Sequence, residues 1–263
     1  MPRIGLGLGL RHEHPPLKYD PSHLGNMAVD LRGYLRADGD PVDSWINSGA
    51  LGNSLDAAAA KRPTKSTLNG VPSVRFDGTD DLSIYTGANA DASFLHDGTG
   101  GTLYVAGSLI GPTIGGFLFD TCGNANANNT GLSVEWIPGG TGAVRFRVGN
   151  GSGAWSVLDT SANDGWPKDV PFVMTVRVST VTFGGNNYQI RVNGGVAFQG
   201  VFANPISAAA PTYPISVGGD ANGGGACIAL NGGCIFAYTD RHSASDVADV
   251  EEWLSELYNI TLP

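Results

Sequence analysis

Glutamate is scarce in this sequence. The 263 residues include five: Glu13, Glu135, Glu251, Glu252 and Glu256. Three sit together near the C-terminus and one near the N-terminus. Only Glu135, in "SVEWIP", falls in a strand-like segment, and it has no acidic partner at i+2 or i+4. No strand-like segment carries Asp-x-Asp or Asp-x-Glu. Glycoside hydrolysis needs two carboxyls flanking the scissile bond, so the usual glycosidase arrangement is excluded. Cationic residues are also few. Lys and Arg total 15 against 24 Asp and Glu, the net charge is −9, and the positive residues are scattered. A nucleic-acid partner needs a basic face to displace phosphate counterions, and none is present. Calcium or another cationic partner stays open. There are three cysteines, Cys122, Cys227 and Cys234, without a CxxC or Cys/His spacing for zinc. The odd count argues against a fully oxidised framework. Cys227 and Cys234 flank "NGG", which leaves two readings: a pair facing across a hairpin, or small buried residues in strands. No run reaches the roughly 18 to 20 apolar residues that a membrane span needs. The apolar stretch at the start, Ile4 to Leu10, is short and Gly-rich and has no small-residue cleavage site, unlike a signal peptide. The expectation is a soluble protein made in a cytoplasm without export. A Gly-x-Ser-x-Gly elbow is missing, and "GGDANGGGA" lacks the Lys-Ser/Thr of a phosphate loop.

What is abundant is glycine, 39 residues, with 15 prolines. Gly supplies the positive φ that tight turns demand, so this composition suits many short strands. Strand signals recur from Ala28 onward. "GTLYVAGSLI" and "GGFLFDTC" are almost wholly apolar, as central strands are. "GLSVEWIPG", "GAVRFRVGNG" and "GAWSVLDT" read as a meander. "NNYQIRVNGGVAFQG" carries an Asn-Gly hairpin turn. One helix is expected, over "HSASDVADVEEWLSELYNI". Ser243 or Ser245 is its N-cap, and Val247, Val250, Leu254 and Leu257 form one apolar face with Glu251, Glu252 and Glu256 mostly off it. The expected architecture is an all-β antiparallel sandwich with a C-terminal helix covering a face or an edge. Residues 1–27 read differently. "IGLGLGL" presents Ile4, Leu6, Leu8 and Leu10 on one side, and "RHEHPPLKYDP" is polar and Pro-rich. This is an N-terminal arm, or an internal strand, ahead of one domain over residues 28–263. His12 and His14 of "HEH" admit a metal ligand or a solvated pair.

The order of three segments carries a resemblance. Trp45 precedes the Ser48-Gly49 pair. Pro72 to Asp81 reads P-x-V-x-FDG-x-DD. Tyr238, Asp240 and Arg241 lead into the final helix and Tyr258-Asn259-Ile260. Over roughly residues 30–260 the chain resembles the concanavalin A-like, laminin-G-like jelly rolls of bacterial and bacteriophage proteins. The resemblance implies a non-enzymatic bacteriophage virion structural protein, a capsid decoration or tail component displaying a lectin-like domain. It would sit in the virion as a homo-oligomer and contact other virion proteins through the arm. The alternative is a stand-alone carbohydrate-binding module for cell-surface glycan.

Two groups of site candidates follow. Asp77, Asp80 and Asp81 crowd one short loop, which admits a turn, a calcium site or an acid pair. Asp and Gly suit the turn, because Asp bonds its own downstream amides. Calcium needs six or more oxygens, so other groups would have to join. The resemblance implies that this segment is mainly a fold signature, with Val74 and Phe76 in the core. For glycan, aromatic faces and Asn/Asp side chains are wanted. Trp136, Trp155, Trp166 and Tyr188 are the aromatics considered. Trp155 and Trp166 lie in Gly- and Asp-rich stretches that read as loops, where binding residues concentrate.

Overall fold

A computed structural model of the chain describes residues 20–33, 37–38, 41–111, 115–123, 130–137, 143–153, 155–159, 169–183, 185–223 and 225–263. Among the described residues, seventeen strands form two sheets, and every pairing there is antiparallel. The first sheet runs β15 (Gly195–Gly200), β14 (Asn186–Val192), β13 (Phe172–Phe183), β8 (Gly101–Leu109), β17 (Ala229–Tyr238), β6 (Val71–Asp77), β5 (Thr64–Leu68), with β1 (Met27–Arg32) also on β17. The second runs β12 (Trp155–Asp159), β11 (Ala143–Asn150), β10 (Thr130–Ile137), β9 (Gly116–Asp120), β16 (Ser216–Val217), β7 (Ser83–Tyr85), β4 (Leu55–Asp56), β3 (Ser44–Trp45), β2 (Ala37–Asp38). The expected meander is β10-β11-β12.

Alternation along the strands builds the core. Leu103, Val105 and Leu109 of β8 enter the space between the sheets, where they meet Val74, Phe76, Phe119, Val134, Trp136, Phe146 and Ile190. Tyr104 and Ala106 point the other way and meet the helix α1 (Ala244–Tyr258). Central strands are therefore covered on both faces, which explains their continuous apolar sequence. Two hairpins close on Asn-Gly turns with both residues at positive φ: Asn69-Gly70 (50° and 86°) and Asn193-Gly194 (46° and 82°). The primed turns these angles form match the twist of the flanking strands. The Asn69 side chain also donates to the Tyr258 and Asn259 carbonyls, tying the first hairpin to the end of α1.

The helix begins on Ser243. Its hydroxyl accepts from the Asp246 amide at 3.2 Å, and the Asp246 carboxylate accepts from the Ser243 amide at 3.0 Å, a closed capping box. It lies on the outer face of the first sheet, with Val247, Val250, Trp253, Leu254, Leu257 and Tyr258 packed on Tyr104, Val173, Phe236 and Tyr238. One expectation is corrected here. Glu251 is not off the packed face but 1% exposed. Thr175 Oγ1 donates to Glu251 Oε1 at 2.7 Å, and Arg191 donates Nε to Oε1 at 2.9 Å and Nη2 to Oε2 at 3.1 Å. The sheet is wider than the apolar stripe, so the rim of the helix also meets strand residues, and these are polar. Nearby, the Tyr104 hydroxyl and His242 Nδ1 are hydrogen-bonded at 2.8 Å. Burial pushes the His242 imidazole down to about 4, so it is neutral at pH 7.

The "NGG" segment is a second correction. Asn231, Gly232 and Gly233 lie inside β17, not in a turn. A Cβ on Gly233 would stand 2.5 Å from the Tyr258 ring, and one on Gly33 would stand 2.8 Å from the Gly233 carbonyl oxygen. These glycines allow close approach, not reversal. No hairpin among the described residues brings Cys227 to Cys234, and Cys122, Cys227 and Cys234 are buried and form no disulfide there.

Just before β1, Asp20 forms an ion pair with Arg32 at 3.0 Å, and the Tyr238 hydroxyl donates to the Pro21 carbonyl at 3.0 Å. The Arg32 guanidinium also lies 5.4 Å from each of the Phe236 and Trp253 rings. Residues 20–26 are thus held on the domain. Ile4, Leu6, Leu8, Leu10, His12 and His14 lie outside the described residues. Among the described residues no helix is long and apolar enough to cross a membrane.

Candidate functional site

The aspartate loop follows directly from β6. Asp77 Oδ1 accepts from the Thr79 amide at 2.7 Å and the Asp80 amide at 3.4 Å. The Asp77 amide donates to Asp81 Oδ2 at 2.7 Å. Gly78 sits at φ +81°, and a Cβ there would stand 2.8 Å from the Ala229 amide nitrogen, so Gly is required on two counts. Asp77 and Asp81 therefore both serve the turn. One carboxylate oxygen from each of Asp77, Asp80 and Asp81 comes within 4.8 Å of the others. Asp81 is buried, and loss of solvation, reinforced by Asp77 and Asp80, pushes its carboxyl up to about 6, against the Asp77 amide bond. A hard cation would want six or more oxygens, and this loop brings together three carboxyls, of which those of Asp77 and Asp81 already accept backbone amides.

The second site is a cleft of about 410 Å³ between β14 and the segment that follows β15. Asn187, Phe202, Ala203, Asn204, Pro205 and Ile206 line it. β14 supplies both the wall and its support. Asn187 faces the cleft and donates Nδ2 to the Ser179 carbonyl at 3.1 Å. Its neighbour Tyr188 turns the other way and packs against Phe202 (5.5 Å), Phe146 (6.2 Å) and Phe198 (6.5 Å between ring centres). Asn204 Nδ2 donates to the Trp155 carbonyl at 2.8 Å, which ties the 202–206 wall to the first residue of β12 in the opposite sheet. The cleft combines an apolar wall with two carboxamides held by backbone bonds.

Trp155 thus borders the cleft through its carbonyl. The Arg147 guanidinium lies 5.3 Å from the centre of its indole ring and 5.5 Å from that of Phe117. Arg147 in turn donates to Glu135 at 2.6 Å, so Glu135 is an ion-pair residue on the sheet. One face of Trp155 is covered, and the half-buried ring has at most its other face for a ligand. Trp166 lies outside the described residues. Trp136 is a core residue, fully buried between the sheets.

The sequence reading missed Asn187, Asn204 and the wall between them. Their signal was weak: the segment "VFANPIS" has no strand period and no charge. It also missed His96, which follows a 3-10 segment, Asn89–Leu95, and is 1% exposed. His96 Nδ1 lies 2.7 Å from the carbonyl oxygen of Ser207, the residue next to Ile206. Burial holds the pKa of this imidazole below its ordinary value.

An antiparallel β-sandwich with a surface cleft and a packed C-terminal helix is the class of protein these features define. No protein-family model matches the chain, and no curated protein does. Solved structures do. The botulinum neurotoxin serotype D binding domain superposes with a TM-score of 0.58 at 10% identity, over 86% of this chain and 50% of that one. The serotype G binding domain gives 0.58 at 11%, over 88% and 51%. A serotype D ligand binding domain in complex with N-acetylneuraminic acid gives 0.59 at 9%, over 86% and 50%. The chain spans about half the length of these structures. At such identity the likeness shows the fold.

Proposed function

We propose that this chain is a non-catalytic, lectin-like recognition domain whose cleft takes a carbohydrate of a cell surface. The observation that carries this is the cleft itself. Its volume of about 410 Å³ falls within the range of small-ligand sites, about 300–1,000 Å³. Phe202, Pro205 and Ile206 offer apolar surface for the C–H face of a sugar ring, and Asn187 and Asn204 place carboxamides beside it. Support from outside the chain is modest and of one kind: a protein whose other half this chain does not cover shares the fold and was solved with N-acetylneuraminic acid. The test is a broad glycan array probed with the full chain at neutral pH. Binding should fall at least about tenfold in Asn204→Ala and in Asn187→Ala, a loss of about 1.4 kcal/mol or more. A larger loss in Trp155→Ala than in either would move the site onto the indole. An array without any binder would sink the proposal.

Display on a bacteriophage particle is the second part of the reading, and it is motivated by the sequence resemblance. The arm would be the anchor, and the domain would form a homo-oligomer. Immunogold labelling of particles from a producing culture tests it. Deleting residues 1–19 keeps Asp20 and its Arg32 pair, and should release the folded domain from particles. Particles without label would return the chain to a stand-alone module.

A further inference from the structure

Besides Asn204, an imidazole holds the end of the cleft wall from behind. His96 is 1% exposed, and its Nδ1 lies 2.7 Å from Ser207 O. A carbonyl oxygen can only accept, so Nδ1 carries the proton and the neutral ring leaves a lone pair on Nε2. Nε2 is buried and has no hydrogen-bond partner among the described residues. Ser207 makes two weaker ties: its amide donates to Gly149 O at 3.5 Å, and its hydroxyl accepts from the Ala209 amide at 3.2 Å. The His96 bond is therefore the shortest link between residue 207 and the body of the sandwich.

A second proton would go to Nε2 and would put a charge where no acceptor waits. The Ser207 carbonyl, which Nδ1 still faces, and the Asp97 carboxylate both favour the charged ring, and burial outweighs them. Asp97, on the same segment, is the carboxylate that acts on the ring, and its oxygen is held by the Thr99 amide and hydroxyl at 2.9 and 2.7 Å. Asp91 of the 3-10 segment is bonded to the Tyr85 hydroxyl and the Ala88 amide. Among the strands packed on that segment, β10 carries Glu135, which is paired with Arg147, and β8 carries Tyr104, which faces α1. Residues 201–215 contribute no titratable group except Tyr213.

We infer that His96 is an acid-released latch at the edge of the cleft: the neutral ring clamps Ser207, where the 202–206 wall ends, and protonation loosens that end of the wall. Its role as a regulator rests on the cleft being the binding site; the latch itself does not. The sign follows from burial, which lowers the folded-state pKa. The clamp is intact at and above the ordinary imidazole value and is lost as pH falls through the lowered one.

The test uses the full chain without ligand. Amide hydrogen exchange over residues 202–209, corrected for intrinsic rates, should rise at least about twofold as pH falls from about 7 towards about 4. The amides of α1 are read alongside, and the rise must be confined to the wall. In His96→Asn the side-chain Nδ2 takes the place of Nδ1 and donates without titrating, so exchange there should not rise. An equal rise in both proteins, or none in the wild type, overturns the latch. If His96→Asn does not fold, ring nitrogen shifts of the wild type decide. Nε2 must be bare at neutral pH, and the ring and the wall exchange must share one midpoint; a bare Nδ1 or separate midpoints overturn it. An array without a binder would leave this result standing. A glycan bound equally at both pH values by a chain whose wall has opened would refute the regulation.

Discussion

Glu251 offers the sharpest test of how the helix is fixed on the sheet. Its carboxylate accepts three hydrogen bonds, one from Thr175 and two from Arg191, and is 1% exposed. Glu251→Ala removes the acceptor and leaves a guanidinium with 21% side-chain exposure. Deleting one partner of a buried pair costs about 3–5 kcal/mol, because the remaining charge is stranded. Water reaches Arg191 in part, so the low end applies, about 3 kcal/mol. In urea this moves the midpoint by roughly 1 M with an unchanged slope. Replacing the whole group, Glu251→Leu with Arg191→Leu and Thr175→Val, should return stability to within about 1 kcal/mol of the wild type, since apolar packing substitutes well for a buried ion pair. Equilibrium unfolding followed by tryptophan fluorescence reads all of these. A cost below about 1 kcal/mol for Glu251→Ala, or a triple variant as weak as the single one, would show that this layer does not fix the helix.

Four further outcomes are expected. His242 is held down to about 4 against an ordinary 6.5, so its contribution is full above 6.5 and is lost as pH falls from there towards 4; His242→Gln should flatten the stability–pH curve in that window. Asp81, raised to about 6 from 3.8, acts in the opposite sense: its contribution is present below 3.8 and lost as pH rises through 6, so Asp81→Asn should gain stability at pH 7 relative to the wild type. If the aspartate loop serves as a turn, millimolar calcium should shift the melting temperature by less than about 1 °C, and a clear rise would reinstate a cation site at Asp77, Asp80 and Asp81. Gly233→Ala should cost about 3 kcal/mol in unfolding experiments, because its Cβ meets the Tyr258 ring; a near-neutral result would refute the close-approach account of "NGG".

The sequence by itself determined the elements that rest on local physics. The Asn193-Gly194 turn, the Ser243 cap, the Val247–Leu257 stripe and the alternation of Val74 and Phe76 each depend on periods and backbone preferences written within a few residues. Together they defined an antiparallel sandwich with a terminal helix. The aspartate turn was legible for the same reason, since its bonds span four residues at most. Only the tertiary structure decided what depended on distant partners. Gly232 and Gly233 read as a turn until Tyr258 was seen against them. Glu251 read as surface until Arg191 and Thr175 came under the helix. The cleft joins Asn187 with Asn204 and the Trp155 carbonyl, and the imidazole behind it joins His96 to Ser207, 111 positions away. Such contacts leave no period in a sequence, because they arise when two sheets close on each other.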